Sequence, residues 1–142
     1  MKDKICILFL LISTLFYAQN HKILGKWKTI DDETGKEKGV VEIFEVKGKI
    51  YGKIIDILDV ENKHRKCEKC EGEDKNKPIL GLTIIKGMKK DGDIYDGGKV
   101  VDPKNGKSYH CKISLDGKDK LTVRGYIGIP LFGRSQTWIR HK

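Results

Sequence analysis

Short stretches in which apolar and polar residues alternate recur about every ten residues from Gly25 onward, and they limit the fold more than any other feature. Alternation with period two is typical of strands that bury one face, because successive side chains of a strand point to opposite sides. The clearest case is residues 108–115, whose apolar face consists of Tyr109, Cys111, Ile113 and Leu115. Glycine-containing turns separate the stretches, and no apolar stripe with helical spacing occurs among residues 25–140.

The alternating stretches predict about eight strands in up-and-down order. We place them at residues 25–30, 40–46, 49–58, 79–88, 94–102, 108–115, 121–127 and 133–140. A meander of this kind usually removes its edge strands by closing into a barrel. We therefore predict an all-β fold, a single antiparallel up-and-down β-barrel of about eight strands, with a two-sheet sandwich as the competing architecture.

Residues 1–18 have the layout of a secretory signal peptide. A short charged start is followed by an apolar run from Ile5 to Tyr17 and by the small residue Ala18. The run is shorter than the roughly 20 apolar residues that span a bilayer, which argues against a membrane anchor. We expect cleavage near Ala18, a single mature domain over residues 19–142, and an exported protein that is either periplasmic or secreted.

The net charge of +9 comes from lysines that are spread along the chain, usually with acidic residues nearby. No run of five or more like charges occurs, so the charge indicates a solvated surface. Because an exported protein has little contact with nucleic acid, we expect no nucleic-acid partner. The partners that remain are a small apolar or anionic ligand and the envelope surface, and we expect a monomer.

Three cysteines follow the predicted signal segment, and an exported chain meets an oxidising compartment where a disulfide is the default. We predict a short ring between Cys67 and Cys70, with Cys111 as a buried thiol. A bridge between Cys70 and Cys111 is the alternative, because its longer loop gives the larger entropic stabilisation. Against that bridge, Cys111 lies on an apolar strand face, whereas the other two cysteines lie in a charged segment that we expect to be exposed.

The spacing His64-x-x-Cys67-x-x-Cys70 also permits a metal site. Zinc requires a fourth ligand, which either Cys111 or His110 could supply. A redox role resembling that of thioredoxin is a further alternative, but such a role needs a thiolate stabilised at a helix start. We predict no cofactor and keep zinc as the alternative.

Motifs spread over residues 25–140 resemble one bacterial protein family. They are Gly25-x-Trp27, Tyr51-Gly52-Lys53-Ile54, Cys67-x-x-Cys70, Gly81-Leu82, Gly97-Gly98, Asp102-Pro103-x-Asn105-Gly106-Lys107-x-Tyr109, Leu121-x-Val123-Arg124-Gly125-Tyr126-Ile127-Gly128 and Gly133-Arg134-x-Gln136-Thr137-Trp138-x-Arg140. The set resembles the exported family known as domain of unknown function 2147, DUF2147. The resemblance implies a lipocalin-like barrel outside the cytoplasm, and it supplies no established activity and no catalytic residue.

The two ends of the predicted barrel also resemble the lipocalin and calycin group. In that group an arginine from the end of the chain covers a tryptophan at the base of the barrel. The residues that match are Trp27, in the first predicted strand, and Arg140, in the last. The resemblance therefore implies structural roles for Trp27 and Arg140.

The last strand carries the candidate ligand-binding residues. If Trp138 faces inward, then Arg134, Gln136 and Arg140 face inward with it, because side chains alternate along a strand. Two inward guanidinium groups would form a cradle for a carboxylate or a phosphate. The candidates are therefore Arg134, Gln136, Trp138 and Arg140, together with Tyr109 on a neighbouring inward face. In the alternative, Arg140 only stacks on Trp27 and closes the barrel floor.

No nucleophile elbow, zinc-protease, P-loop or dinucleotide-binding motif occurs in the chain, which weakens the case for an enzyme. We predict a small exported β-barrel that binds an apolar or amphipathic ligand or an envelope component. One alternative is a metal- or redox-linked protein that uses His64, Cys67 and Cys70. The other is an envelope interaction module whose barrel is filled with side chains.

Overall fold

Eight antiparallel strands, found here in a computed structural model, make up most of residues 22–142, the part of the chain that the structure describes. They are β1 (Gly25–Ile30), β2 (Glu37–Val46), β3 (Lys49–Ile57), β4 (Thr83–Asp91), β5 (Ile94–Val101), β6 (Ser108–Asp116), β7 (Lys120–Tyr126) and β8 (Gly133–Arg140). The predicted signal segment, residues 1–18, lies outside the described residues.

Each strand pairs with its neighbour in the sequence, and β8 returns to pair with β1. The closing pairs are Trp27 with Arg140, Lys28 with Ile139 and Thr29 with Trp138. The sheet is therefore a closed barrel, and the predicted eight-stranded up-and-down architecture is confirmed. The sandwich alternative is wrong, because pairing of β8 with β1 leaves no free edge.

The connections divide between two ends of the barrel, which we call lower and upper. The lower end contains the three tight turns after β2, β4 and β6, together with the C-terminus of β8. The upper end contains the connecting segments 31–36, 58–82, 102–107 and 127–132. These upper segments are the longer ones, so most irregular structure lies at one end.

Large apolar side chains fill the centre of the barrel. Nine of them are no more than 2% exposed: Trp27, Val41, Ile43, Ile50, Ile85, Met88, Ile113, Leu121 and Trp138. Two depressions on residues 22–142 lie at the surface, one at each end of the barrel. The interior is thus a packed core, as eight-stranded barrels allow, because their inner diameter is just wide enough for side chains to fill.

Two inward glycines allow this dense packing. A Cβ atom added at Gly52 would lie 3.1 Å from Ile85 and 3.2 Å from Val41. The pairing of β3 with β4 shifts register at this glycine, and a glycine inside a strand often marks a bulge or bend. At Gly98 an added Cβ would lie 2.4 Å from the carbonyl oxygen of Lys86, so no larger residue fits without a backbone shift.

Strand β4 begins at Thr83, later than the predicted start at Ile79. The preceding apolar residues form a turn instead, in which the amide of Leu82 donates to the carbonyl of Ile79 at 3.1 Å. The side chain of Leu82 is buried although the residue lies in this turn and not in a strand. An apolar run can therefore reach the core without being a strand, and the hydrophobic pattern alone does not distinguish the two cases.

Residues 58–82 form the longest connection, which we call the disulfide loop. It contains two single-turn 3₁₀ helices, Val60–Asn62 and Gly72–Asp74. Among residues 22–142 no helix is long and apolar enough to cross a membrane.

Candidate functional site

Arg140 closes the lower end of the barrel. Its guanidinium carbon lies 4.2 Å from the ring centroid of Trp27, which is a cation–π contact. Its three nitrogens donate to the carbonyl oxygens of Lys118, Leu24 and Lys22 at 2.9, 3.2 and 2.8 Å. Every nitrogen of the guanidinium thus has a protein partner. Arg140 therefore links the residues just before β1 and the turn after β6 to the lower end of the barrel.

A depression of about 640 Å³ lies beside Arg140 at the lower end. Its lining includes Lys22, Leu115, Lys118 and Asp119. The arginine offers this depression no uncommitted nitrogen, and its Nε also lies 3.6 Å from the carboxylate of Asp119. Arg140 therefore does not supply an anion-binding group to this depression.

Arg134 lies at the opposite end of the same strand. Its Nη2 donates to Asp32 Oδ1 at 2.8 Å and to Glu33 Oε1 at 2.9 Å, and its Nε also contacts Asp32. These carboxylates raise the pKa of Arg134 above its ordinary value. The side chain is 60% exposed, so it lies on the rim and links β8 to the segment after β1. The structure does not bring Arg134 and Arg140 together as one cradle.

Trp138 and Gln136 face into the barrel between the two arginines. Trp138 is buried, and its indole Nε1 donates to Gln136 Oε1 at 3.2 Å. The pairings of Leu121 with Trp138 and of Val123 with Gln136 place both side chains among core residues. Packing therefore occupies the surface of Trp138 that a ligand would need.

Cys67 and Cys70 form a disulfide, and Cys111 is a free, buried cysteine. The two bonded cysteines are 0% and 2% exposed, contrary to the expectation of an exposed charged segment. The reason is that the disulfide loop packs against residues 102–107, with Cys67 Sγ at 3.7 Å from the carbonyl oxygen of Pro103. The two cysteines consequently belong to the hydrophobic core.

This burial weakens the metal and redox alternatives. No three His, Cys, Asp or Glu side chains within residues 22–142 are arranged to hold a metal ion, and His64 is exposed on the loop. Attack on a disulfide requires access of a thiolate to one sulfur, which the burial of Cys67 and Cys70 prevents. Burial also raises the pKa of Cys111 to about 12, so this thiol is not a nucleophile at neutral pH.

A second depression, of about 390 Å³, lies at the upper end beside the disulfide, and we call it the upper depression. Its residues come from the disulfide loop, β4, β5, the turn before β6, β6 and the segment after β7: Cys70, Glu71, Asp74, Lys86, Val101, Gly106, Lys107, Ser108, Tyr109 and Ile127. Of the candidate ligand-binding residues, Tyr109 alone lines it. The depression exists because the disulfide loop docks there, with Lys69 against Gly106.

The upper depression combines apolar and charged walls. Lys86 is paired with Asp74, and this ammonium group lowers the pKa of the Asp74 carboxyl. Lys107, in contrast, makes no ion pair with any residue in the described part of the chain, so its ammonium group is uncommitted. Tyr109 is held in place by its hydroxyl, which accepts a hydrogen bond from Asn105 Nδ2 at 3.0 Å.

Most residues of this depression were not among the predicted ligand-binding residues, including Val101, Lys107, Ser108 and Ile127. Val101 pairs with Ser108, and both lie on the face opposite to the inward Tyr109. Val101 is nevertheless buried, because the disulfide loop covers that face. One signal in the sequence could have indicated this depression. It is an apolar residue at an outward strand position next to an unusually long loop.

The model of the family described as "Uncharacterized protein conserved in bacteria (DUF2147)" matches residues 25–140. None of the curated proteins matches the chain. A solved structure described as "Protein HP1028 from the human pathogen Helicobacter pylori belongs to the lipocalin family" is similar, with a TM-score of 0.73 and 24% identity over 84% of this chain and 82% of that one. At this identity the similarity shows the fold, a lipocalin-like barrel.

Proposed function

The chain belongs to the DUF2147 family, and from this premise we propose that it binds a small amphipathic molecule in the upper depression of its barrel. The supporting observation is a depression of about 390 Å³ that joins an apolar wall to Lys107, a lysine with no ion pair among residues 22–142. Ligand sites are usually concave and largely apolar, with a few placed polar groups and a volume of roughly 300–1,000 Å³. The filled centre favours a site at the end of the barrel over one in its interior.

The chemistry of the walls suggests the ligand class. Tyr109 and Ile127 offer a surface for a short hydrocarbon chain or a ring. Lys107 offers an ammonium group for a carboxylate or a phosphate, and Ser108 offers a hydroxyl beside it. An anionic amphiphile fits both features when its head group lies at Lys107 and away from the carboxylate of Glu71, which also lines the depression.

The proposed setting is the cell envelope. The signal-peptide layout of residues 1–18 supports export, with cleavage near Ala18. Envelopes contain fatty acids, lipid fragments and other anionic amphiphiles, which is the ligand class that the depression suits. A periplasmic or secreted carrier of such molecules is the function we propose.

Filling the depression tests the proposal. The probe is decanoate, an anionic amphiphile, with binding measured by isothermal titration calorimetry. We expect Ser108→Trp to abolish binding, because the indole would occupy the depression from an exposed strand position. Ser114→Trp is the matched control, since Ser114 lies near the other end of β6 on the same outward face.

The charge is tested separately. Lys107→Gln should weaken decanoate binding about fivefold, as expected for a partly exposed ion pair, whereas Lys49→Gln at the lower end should not change it. Unchanged binding in Ser108→Trp would overturn the proposal. Native mass spectrometry of the protein purified from its own host should show a bound anionic amphiphile, which the Ser108→Trp protein lacks.

A further inference from the structure

The segment between β7 and β8 exposes four large apolar side chains within six residues. Ile127, Ile129, Leu131 and Phe132 are 66%, 53%, 77% and 69% exposed. We call residues 127–132 the apolar tip. Scattered exposed apolar residues are normal, but a contiguous exposed group indicates a site of interaction.

The apolar tip has a defined shape. The amide of Ile127 donates to the carbonyl of Phe132 at 3.3 Å, and the amide of Phe132 donates to the carbonyl of Ile129 at 3.1 Å. Arg124 Nε donates to the carbonyl of Pro130 at 2.9 Å, which fixes the tip to β7. Because these backbone groups already have partners, moving the tip out of water costs less than it would for an open loop.

We propose that the apolar tip inserts into the interfacial region of a lipid bilayer. Residues 125–133 contain no charged side chain, and Arg124 and Arg134 directly flank them. Interfacial anchors combine apolar residues at the acyl boundary with arginines or lysines at headgroup level. The tip and the adjoining Arg124 have this arrangement.

The flanking charges suit phosphate headgroups. Arg124 uses Nε for Pro130 and Nη1 for Ser135, and its Nη2 has no partner among residues 22–142. Lys107, which lines the same depression as Ile127, also makes no ion pair within the described residues. Arg134 is bound by two carboxylates, Asp32 and Glu33, and supplies no net positive charge, so the attraction rests on Arg124 and Lys107.

The form of the tip favours a bilayer over a protein partner. A stable protein interface buries roughly 800 Å² on each side and involves about 20–30 residues of each partner. Six residues that project from one barrel end offer much less. Insertion into lipid needs no matching surface, because transfer of the apolar side chains from water supplies the free energy.

Vesicle co-sedimentation tests this proposal. The purified protein is mixed with vesicles of phosphatidylethanolamine and phosphatidylglycerol, and separately with vesicles of phosphatidylcholine alone. We expect binding to both and tighter binding to the anionic ones. The double variant Leu131→Asp, Phe132→Asp should bind at least about tenfold more weakly, given the transfer free energy of large apolar side chains. Val46→Asp is the matched control, because Val46 is 45% exposed at the lower end, and its binding should not change.

A second variant reports insertion directly. Phe132→Trp should show a blue shift of tryptophan emission when vesicles are added, whereas Val46→Trp should show none.

The proposal is overturned if the unmodified protein does not sediment with either kind of vesicle, or if the double Asp variant sediments equally well. It is also overturned if the only effect of the double variant in analytical ultracentrifugation is the loss of a concentration-dependent dimer that the unmodified protein forms. The apolar tip would then contact a second copy of the chain. Thermal melts of all variants check folding, and decanoate binding should persist in the double variant because Leu131 and Phe132 do not line the upper depression.

Discussion

Trp27 and Arg140 depend on each other for their environments. The guanidinium covers the indole face, and the indole Nε1 donates to the carbonyl oxygen of Ile23 at 2.9 Å. The tryptophan is therefore fully buried although it lies near the floor of the barrel. Each polar atom of the pair has a partner, so the large apolar surface of Trp27 is buried without leaving a donor unsatisfied.

Replacing Trp27 with alanine should lower the free energy of unfolding by about 3–5 kcal/mol, because a large buried ring is lost and a cavity remains. Denaturation by urea, followed by circular dichroism, measures the change. Trp27→Phe keeps most of the volume and should lose less. A loss below about 1 kcal/mol in Trp27→Ala would contradict the packing described here.

Asp31, at the start of the segment after β1, should make stability depend on pH in acid. Lys38 Nζ lies 3.0 Å from its carboxylate, and the amide of Glu33 donates to it at 2.8 Å. These groups lower the pKa of Asp31 from 3.8 to about 2. A lowered pKa means that the stabilisation is complete above the ordinary value and is lost as the pH falls toward the folded value.

The variant Asp31→Asn tests that dependence. The difference in unfolding free energy between the unmodified protein and Asp31→Asn should be largest above pH 3.8 and should shrink as the pH approaches about 2. Urea denaturation across this pH range measures it. Lys38→Gln should reduce the same dependence, since Lys38 is the main cause of the shift. A difference that stays constant with pH would show that the contact does not persist in solution.

At the scale of elements, docking of the disulfide loop depends on Gly106. This residue has a φ of +73°, and a Cβ atom added to it would lie 1.9 Å from the carbonyl oxygen of Lys69. Any side chain here would therefore collide with backbone. The close approach sets the position of the loop and thereby forms the upper depression.

Gly106→Ala should detach the disulfide loop from residues 102–107. Gly117→Ala is the matched control, because Gly117 has a similar φ of +69° with no atom within 4 Å of the added Cβ. Both variants incur backbone strain, but Gly106→Ala should lose roughly 1–3 kcal/mol more because of the collision. Trypsin should also cleave after Lys66 and Lys69 faster in Gly106→Ala. Equal stability and equal cleavage in the two variants would rule out this tight docking.

The sequence predicted the strands well because alternation is a local property. It did not predict the functional end, which depends on tertiary placement of the disulfide loop. The hypothesis that Arg134 and Arg140 form one cradle assumed that two residues on the same face of a strand belong to the same binding site. Six residues along a strand correspond to roughly 20 Å, so two inward arginines at that spacing lie at opposite ends of a barrel. The alternation of side chains predicts the face of the strand on which a residue lies. Its distance along the strand determines the end of the barrel to which it is closer.

At the scale of the whole molecule, a filled barrel leaves its two ends for function. The lower end is closed by Arg140 and the carbonyl oxygens that surround it. The upper end contains the disulfide loop, the upper depression and the apolar tip. A ligand site and a membrane contact at one end would let an amphiphile pass between bilayer and protein over a short distance.

The closure is one of the two least extensive pairings in the barrel. Strands β1 and β8 share three residue pairs, as do β3 and β4, whereas β6 and β7 share seven. Regions with few backbone pairings open locally at lower free energy than the rest of a fold. The seam between β1 and β8 is therefore expected to open before the global unfolding of the barrel.

Native-state hydrogen exchange, measured by NMR, tests this expectation. Amides of β8 that face β1 should exchange faster than those between β6 and β7, and their rates should depend little on low urea concentrations, as local opening exposes little surface. Arg140→Ala should accelerate exchange at the seam more than at β6 and β7, because it removes the contacts of the guanidinium with Trp27 and the floor. If the seam amides instead exchange only through global unfolding, the barrel opens as one cooperative unit. The contacts of Arg140 and the two tryptophans would then make opening of the three residue pairs between β1 and β8 as costly in free energy as opening of the seven between β6 and β7.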